Sequence, residues 1–261
     1  MAGVEGRRVL VTGAGSESGI GFATALILAR QGARVAITST TKRIHNRLDE
    51  MPDSENHVAF IADLAQAKSV DRLVADATRA LGGIDILVNN AGMVQTGVAQ
   101  KSSHLHRISD AEWNRAIELN LNIAFRTTRA VLAPMMRRRY GRIVHISSIT
   151  GPLVSNPRSA GYSAGKAGIT GMMRALAIEV AAKGITVNSV GPGWVATASQ
   201  TAREKVAGRH TPIGRSATPA EVGHVAAFLA SEEASYVTGQ LIVVDGGNSI
   251  QENKGPEKGY Y

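Results

Sequence analysis

The residues best suited to chemistry are a tyrosine and a lysine four positions apart, Tyr162 and Lys166, with Ser148 fourteen residues upstream. Residues at this spacing lie on one face of a helix, one turn apart. An ammonium beside a phenol favours the phenolate and lowers the phenol pKa from about 10 towards neutrality, which makes the tyrosine a usable proton donor or acceptor. A nearby serine hydroxyl can hold a substrate oxygen against that phenol. The pair alone is also typical of a lysine lying along a helix surface with its ammonium in water.

A glycine-rich turn, residues 12–21, follows the first apolar segment of the chain, Arg8–Thr12. Glycines there let the backbone approach a pyrophosphate, and the N-terminus of the next helix supplies N–H donors and positive potential. A glycine cluster by itself is often only a tight turn. Its position between a strand and a helix indicates a nucleotide-binding site.

Short β-branched segments alternate with longer helical segments, and the pattern predicts seven strands and at least five helices. The predicted strands are 8–12, 33–38, 57–61, 84–88, 142–146, 185–190 and 240–244. The predicted helices are 19–31, 69–81, 111–139 (as one helix or two), 162–183 and 219–229. Nearly continuous apolar strands separated by helices indicate a parallel sheet covered on both faces. We predict one α/β domain over residues 1–250 and a polar tail over 251–261.

Composition narrows the function classes. The chain has 261 residues, 44% of them hydrophobic, which is enough for a sizeable core. It has no apolar run of the roughly 18 residues that a membrane helix needs, and its N-terminus lacks the apolar core of a signal peptide. The absence of cysteine excludes disulfides, cysteine-based metal sites and a thiol nucleophile. We therefore expect a cytoplasmic protein with no membrane partner and no metal.

The net charge of +8 attracts anions such as nucleotides or acyl-carrier proteins. The positive charges are scattered except for Arg137–Arg139, which we interpret as the solvated C-terminal end of a helix. Because no aromatic residues are interleaved with them, we do not expect nucleic acid as a partner.

Several short motifs occur in a fixed order, and together they carry a family resemblance. They are Gly13 through Gly19-Ile20-Gly21, Asp63-Leu64, Asn89-Asn90-Ala91-Gly92, Asn120, Ser147-Ser148, Tyr162 with Lys166, Pro192-Gly193 with Thr197, and Asp245-Gly246-Gly247. In these motifs, from Arg8 to Gly247, the chain resembles the short-chain dehydrogenase/reductases. The resemblance implies a single-domain Rossmann fold, with a seven-stranded parallel sheet in the order 3-2-1-4-5-6-7 and helices on both faces.

The resemblance also implies roles for individual residues. Tyr162 is the acid that protonates a carbonyl oxygen as hydride arrives, Lys166 lowers the pKa of Tyr162 and bonds the nicotinamide ribose, and Ser148 aligns the carbonyl. Asn120 belongs to a proton relay, although it could instead cap or kink a helix. The implied cofactor-binding residues, with Tyr162 and Lys166, are Gly13, Ser16, Gly19, Ile20, Gly21, Thr38, Thr40, Lys42, Arg43, Asp63, Leu64, Asn90, Ala91, Gly92, Pro192, Gly193, Val195 and Thr197.

The end of the second strand distinguishes the two nicotinamide cofactors. An acidic residue there binds the ribose 2′-hydroxyl and repels a 2′-phosphate. This chain has Thr38-Ser39-Thr40-Thr41-Lys42-Arg43 instead, and hydroxyls with two cations suit a 2′-phosphate. We predict NADPH/NADP+ rather than NADH, the alternative being a polar turn with its charges in water.

The chain departs from the family pattern at two loops. Five residues separate Gly13 from Gly19 where the family usually has three, and Glu17 lies in that loop, so we expect its side chain to face solvent. The segment from Gly92 to Trp113 is longer than is common, and we interpret its His104 and His106 as part of a solvated loop rather than a metal site.

The sequence indicates less about the substrate than about the cofactor. Segments 198–212, 155–158 and 93–110 are expected to complete the pocket, with Arg158 either meeting an anionic substrate or only water. The sequences Gly141–Val144 and Ile185–Asn188 are similar to those of 3-oxoacyl-acyl-carrier-protein reductases, with Arg126 and Lys183 where those enzymes dock the acidic carrier. We predict an NADPH-dependent reductase of a ketone, free or carrier-bound, that assembles as a homotetramer.

Three other functions remain open at this point. One is a redox-silent nucleotide-binding sensor or scaffold, although a sensor has no need of the set Ser148, Tyr162 and Lys166. Another is a basic nucleic-acid-binding protein. The third keeps the fold with non-redox chemistry, as in an isomerase or dehalogenase.

Overall fold

The computed structural model describes residues 3–92 and 103–252, and within them the chain forms one seven-stranded sheet flanked by helices. The strands are β1 (Arg8–Thr12), β2 (Arg34–Ser39), β3 (Val58–Ile61), β4 (Ile86–Asn89), β5 (Gly141–Ile146), β6 (Ile185–Pro192) and β7 (Leu241–Val244). Every pair is parallel and the order is β3-β2-β1-β4-β5-β6-β7. The predicted fold class and strand order are confirmed.

The helices are α1 (Ile20–Arg30), α2 (Arg43–Asp49), α3 (Ala67–Leu81), α4 (Asp110–Ile117), α5 (Ile123–Arg138), α6 (Ala160–Val180), α7 (Ala202–Arg209) and α8 (Pro219–Ala230). A π-helical turn, Glu118–Asn122, joins α4 to α5, so residues 110–138 form one continuous helical segment. Helices α2 and α7 are absent from the sequence prediction. Glycines end α3 and the 3₁₀ turn that follows α6, with φ of +82° at Gly82 and +69° at Gly184.

Two hydrophobic clusters lie on opposite faces of the sheet. One joins α1 and α8 to the sheet through residues such as Leu28 and Leu229, and the other joins α3, α5 and α6 through residues such as Leu81 and Met173. Each buried leucine of this kind contributes roughly 1.5–3 kcal/mol of transfer free energy. Because both faces are covered, the strands read as continuous apolar runs rather than as alternating patterns.

Ion pairs hold the edge of the sheet where the strands begin. Glu232 accepts hydrogen bonds from Arg7 (2.6 Å), from the Tyr140 hydroxyl (2.7 Å) and from Arg142 (3.1 Å). The guanidinium groups of Arg7 and Arg142 lie 4.0 and 4.7 Å from the centroid of the Tyr140 ring. Burial and the Glu232 carboxylate raise the pKa of Tyr140, so this tyrosine stays protonated and acts as a hydrogen-bond donor.

In the described ranges, no helix has both the length and the apolar character that a bilayer crossing requires. The polar tail predicted at 251–261 falls almost wholly outside the described ranges, and so does the first part of the long 93–110 loop, residues 93–102.

Candidate active site

The glycine-rich turn closes against the end of β4 so tightly that side chains would not fit. A Cβ atom on Gly13 would lie 2.7 Å from the Ala91 Cα, and one on Gly15 would lie 2.7 Å from the Ser39 Cβ. Gly13 also adopts a φ of +71°, which favours glycine. A Cβ on Gly21 would collide with the Asn90 amide. The turn therefore presents bare backbone at the N-terminus of α1, which fits a phosphate-bearing dinucleotide.

Hydrogen bonds join this turn to the Asn90-Ala91 segment. The Asn90 Nδ2 donates to the carbonyl oxygens of Thr12 (3.1 Å) and Gly13 (2.9 Å). The Thr12 hydroxyl oxygen accepts from the backbone N–H groups of Asn90 (3.1 Å) and Ala91 (3.0 Å). The ends of β1 and β4 thus form one unit at the point where the strand order reverses, the usual nucleotide site of such sheets.

The remaining residues of the glycine turn lie along its outer side. The Ser16 carbonyl accepts from the Gly19 N–H at 3.1 Å, which starts α1 at Ile20. Glu17 is exposed, as expected, and lies 3.5 Å from the guanidinium of Arg47 on α2. Arg47 also pairs with Glu50 and lies 5.4 Å from the Phe22 ring centroid. Sequence reasoning gave Arg47 no role, because its partner is thirty residues away along the chain.

The residues after β2 divide into one buried threonine and an exposed turn. Thr38 is fully buried and donates its hydroxyl to the Phe60 carbonyl at 2.8 Å, so its side chain belongs to the sheet. Its assignment as a cofactor-binding residue stays a prediction. Thr40, Lys42 and Arg43 are exposed, and the Arg43 Nε donates to the Thr41 hydroxyl at 3.3 Å.

Asp63 and Leu64 follow β3. Asp63 is exposed, and its carboxylate accepts from the Ala65 N–H at 3.0 Å, which forms a turn at the start of α3. Leu64 is buried. Asp63 does not cap α3, whose N-cap residue is Gln66, and the exposed position of Asp63 leaves it accessible to a ligand.

Helix α6 carries Tyr162 in its first turn and Lys166 in its second, and two glycines bring it against α4 and the π turn. A Cβ on Gly161 would lie 2.7 Å from the Ala116 Cβ, and one on Gly165 would lie 2.6 Å from the Asn120 Cβ. Asn120, in the middle of the π turn, is therefore packed directly against the residue before Lys166. π turns inside α-helices occur frequently at functional sites.

Lys166 is buried beneath Tyr162. Its Nζ donates to the Ile146 carbonyl at 2.9 Å and lies 5.8 Å from the centroid of the Tyr162 ring. Burial lowers the pKa of Lys166 to about 8, so the amine is still largely protonated at neutral pH. The surface-lysine interpretation is excluded.

Tyr162 behaves differently from the sequence expectation. Burial raises the pKa of its phenol, a hydrogen bond with Ser148 opposes that shift, and the negative charge of Glu204 adds to it. The net effect is that the phenol pKa is raised rather than lowered. Sequence spacing gave the proximity of the two residues but could not weigh burial against charge.

The two adjacent serines have different partners. Ser147 is buried and donates to the Lys166 carbonyl at 3.1 Å, a contact between β5 and α6. Ser148 contacts Tyr162 and accepts from the Thr150 N–H at 3.0 Å. Ser148 is therefore the serine that faces the phenol, as the motif predicts.

Asn120 is buried and donates its amide to the Ala116 carbonyl at 3.0 Å, while its Oδ1 has no hydrogen-bond partner. Gly92, with a φ of +145°, lies against the Leu119 carbonyl beside it. Asn120, Ser148, Tyr162 and Lys166 thus lie around one region at the carboxyl ends of β4 and β5.

The residues that follow β6 form another wall of the candidate active site. The Pro192 carbonyl accepts from the Ile149 N–H at 3.1 Å, Gly193 packs on Asp245, and Val195 forms a bridge with Ala217. Thr197 lies within hydrogen-bond distance of Ser199, 3.0 Å between hydroxyl oxygens.

Helix α7 follows, beginning with a capping box in which the Glu204 carboxylate accepts from the Thr201 N–H at 2.7 Å. Its negative charge contributes to the raised pKa of Tyr162, an effect that sequence reasoning missed.

The later part of the long loop, from residue 103 onward, contacts the segment that precedes α6. Arg158, with a φ of +66°, donates its Nε to the His104 Nε2 at 3.3 Å, and the rings of His104 and His106 are stacked 6.0 Å apart. Over residues 3–92 and 103–252, no group of three or more histidine or acidic side chains is arranged to bind a metal ion.

Comparison with known proteins agrees with this geometry. A family profile described as Enoyl-(Acyl carrier protein) reductase matches residues 13–249. Nodulation protein G of Rhizobium sp. (strain N33) is 41% identical over 253 residues, covering 95% of this chain and 98% of that protein. The 3-oxoacyl-[acyl-carrier-protein] reductase FabG of Vibrio cholerae is 37% identical over 94% of this chain and 98% of its own. Oxidoreductase UcpA of Salmonella typhimurium is 36% identical over 97% of this chain and 98% of its own. With the sheet order, the glycine turn and the clustered Ser148, Tyr162 and Lys166, these matches establish that the chain belongs to the short-chain dehydrogenase/reductase family of oxidoreductases.

Proposed function

We propose that this protein reduces a ketone to a secondary alcohol with NADPH, and that Tyr162 supplies the proton. The observation that carries the proposal is the hydrogen-bonded pair of Ser148 and Tyr162 directly above the buried Lys166. The cofactor fits the site because the glycine turn offers bare backbone that added Cβ atoms would fill.

The side chains divide the work of carbonyl reduction. When bound, the nicotinamide cofactor supplies a hydride to the carbonyl carbon. Ser148 donates a hydrogen bond to the carbonyl oxygen, and Tyr162 transfers its proton to that oxygen as negative charge develops there. A raised phenol pKa keeps Tyr162 protonated at neutral pH, which is the form that a reduction consumes. Lys166 stabilises the tyrosinate left behind, and Asn120 is placed to help return a proton from solvent.

The preference for NADPH is supported by the exposed turn after β2. Thr40, Lys42 and Arg43 present a hydroxyl and two cations, and residues 38–43 include no acidic side chain that would repel a 2′-phosphate.

An acyl-carrier-bound substrate is the favoured candidate, because relatives such as that of Vibrio cholerae are named for 3-oxoacyl-carrier reduction. The two proposed docking cations differ in the structure. Arg126 is paired with Glu118, with one N–O distance of 3.0 Å, which raises the pKa of its guanidinium. Lys183 is exposed at the end of a 3₁₀ turn. Lys183 precedes β6 and so lies at the opposite end of the strands from Tyr162, whereas Arg126 lies in the first turns of α5, close to Asn120. We therefore assign carrier docking to Arg126 rather than to Lys183.

The test is a panel of ketones and alcohols, including a carrier-bound 3-oxoacyl substrate, with NADPH and NADH and nicotinamide absorbance as readout. We expect stoichiometric NADPH oxidation with a ketone, and loss of turnover by orders of magnitude in Tyr162→Phe while NADPH still binds. Tyr236→Phe is the matched control, because Tyr236 is fully exposed. Normal turnover in Tyr162→Phe would remove the proposed acid, and no oxidation across the panel would favour the sensor alternative.

We also propose a homotetramer, on the family resemblance and on exposed apolar side chains along the long helices and the last helix. These are Phe125, Ile178 and Phe228, with relative exposures of 43%, 83% and 49%. Light scattering coupled to size-exclusion chromatography would measure the assembled mass, and a monomeric mass would reject the proposal.

A further inference from the structure

Three polar side chains form a buried row across the middle of the sheet. Asn89 of β4 pairs with His145 of β5, and His145 pairs with Ser189 of β6. Side chains alternate along a strand, and Leu87, Ile143 and Val187, two residues earlier, belong to the cluster against α5 and α6. The polar row therefore faces those two helices. All three residues are buried, with relative exposures of 3%, 0% and 0%.

Some polar atoms of this row have hydrogen-bond partners in the protein and others have none. The Asn89 Nδ2 donates to the Thr128 hydroxyl oxygen of α5 at 2.8 Å and lies 3.2 Å from the His145 Nδ1. If Nδ1 accepts that bond, the imidazole proton is on Nε2. The Asn89 Oδ1, the His145 Nε2 and the Ser189 Oγ have no protein partner. Each such buried atom costs about 1–3 kcal/mol if it stays unpaired, so three in adjacent register positions call for a polar partner inside the core.

Lys166 lies next to this row. Its Nζ is hydrogen-bonded to the carbonyl of Ile146, the residue after His145, and its positive charge adds to burial in lowering the pKa of His145 to about 4. The side chains that β4, β6 and α5 contribute to the row are Asn89, Ser189 and Thr128, and all three are uncharged. In the described part of the chain, Lys166 is the charged group that acts on the imidazole. The imidazole is thus neutral at physiological pH, with an N–H donor enclosed in the core.

We propose that Asn89, His145 and Ser189 enclose an internal water site beneath Lys166, and that His145 is a positioning residue for the Lys166 ammonium. Neighbouring strands are separated by roughly 4.8 Å, a spacing that lets one water reach polar atoms on adjacent strands. A buried water needs two to four polar partners, and the row offers an N–H donor, a carbonyl acceptor and a hydroxyl. Such a water, accepting from the His145 Nε2–H, presents its lone pairs towards the cation and favours the charged lysine. The role of the site in turnover rests on the proposed function of Lys166, whereas the site itself does not.

The first experiment needs no activity. Histidine labelled with ¹⁵N is observed by NMR across a pH titration, and the His145→Gln variant identifies the resonance of His145. We expect the Nε2–H tautomer, a pKa close to 4 and magnetisation transfer between that proton and a long-lived water, with Lys166→Met raising the pKa. An Nδ1–H tautomer, or an Nε2 proton without contact to water, would overturn the proposal.

The second experiment compares two substitutions by their pH profiles. His145→Phe removes the donor and fills the site, so we expect the Lys166 pKa to fall and the alkaline limb of kcat/KM to move down by about one pH unit. His145→Gln keeps a polar terminus and should restore the wild-type limb. Equal profiles in the two variants would reject the positioning role.

If no ketone is turned over, the proposed function fails, and a thermal unfolding control shows whether His145→Phe is folded. The water site is then decided by the NMR titration alone.

Discussion

Tyr162 illustrates how burial can outweigh charge at a single residue. Its spacing from Lys166 places both on one helix face, but the enclosure of the phenol raises its pKa, and the Glu204 carboxylate raises it further. For a reductase this favours the protonated form that donates to a carbonyl. The residue types alone predicted the correct partners and the wrong direction of the shift.

Glu204 provides a test of that electrostatic balance. In Glu204→Gln the negative charge is lost while the capping hydrogen bonds of α7 can persist, because glutamine also serves at this position. We expect the Tyr162 pKa to fall towards its ordinary value, measured by tyrosinate absorbance with Tyr162→Phe as the reference. Glu221→Gln is the matched control, because Glu221 occupies the same position in the capping box of α8. An equal fall in both variants would contradict a specific action of Glu204.

The two cations after β2 give a prediction about cofactor choice. Lys42→Glu with Arg43→Glu should weaken NADPH binding about 10- to 100-fold more than NADH binding, the range expected for lost charge-assisted contacts to a phosphate. Isothermal titration with each cofactor would measure this. The control variant, Arg137→Glu with Lys183→Glu, changes the net charge equally at the opposite edge of the sheet. It should not change the binding of one cofactor more than that of the other. Similar losses for both cofactors would reject the 2′-phosphate interpretation.

At the scale of elements, the contact between α6 and the π turn has no space for side chains. Gly165→Ala places a Cβ 2.6 Å from the Asn120 Cβ, so we expect a loss of about 1–3 kcal/mol in the free energy of unfolding and lower turnover. Gly171→Ala on the same helix meets nothing within 4 Å and should stabilise by about 0.5–1 kcal/mol. Urea denaturation of the two variants makes the comparison, and two effects of the same sign would refute the packing argument.

Most elements could be predicted because their signals are local. The apolar strands and the glycines after α1 and α3 fixed the sheet and two helix ends to within a few residues. Helices α2 and α7 were missed because each buries a single residue, Ile44 and Gly208, and so has no apolar periodicity. The Thr201–Glu204 capping box was the available signal for α7. Nothing local marks Arg47, Glu204 or His145 as neighbours of the site, since each acquires its partners only in the folded chain.

At the scale of the whole molecule, acid should destabilise the fold through buried histidines. Burial lowers the pKa of His57 and lowers that of His145 from 6.5 to about 4. Between these two pH values the unfolded chain binds more protons than the folded chain, so the free energy of unfolding falls as pH drops from about 6.5 to about 4. His145 alone corresponds to about 3 kcal/mol over that window.

Urea denaturation at several pH values would measure this slope. His145→Gln should flatten it, whereas His224→Gln, at an exposed position on α8, should leave it unchanged. A slope that is equal in wild type and His145→Gln would show that the imidazole is not buried in its neutral form.

The widened turn at Glu118–Asn122 has a consequence for the length of this part of the chain. A π turn holds one residue more than the α-turn it replaces, so removing a single codon from this stretch would yield an uninterrupted α-helix. The flanking helices α4 and α5 could keep their packing on α6 and the sheet. The side chain now at position 120, however, would rotate by about 100° around the helix axis. In such a shortened protein the asparagine would no longer lie in the site.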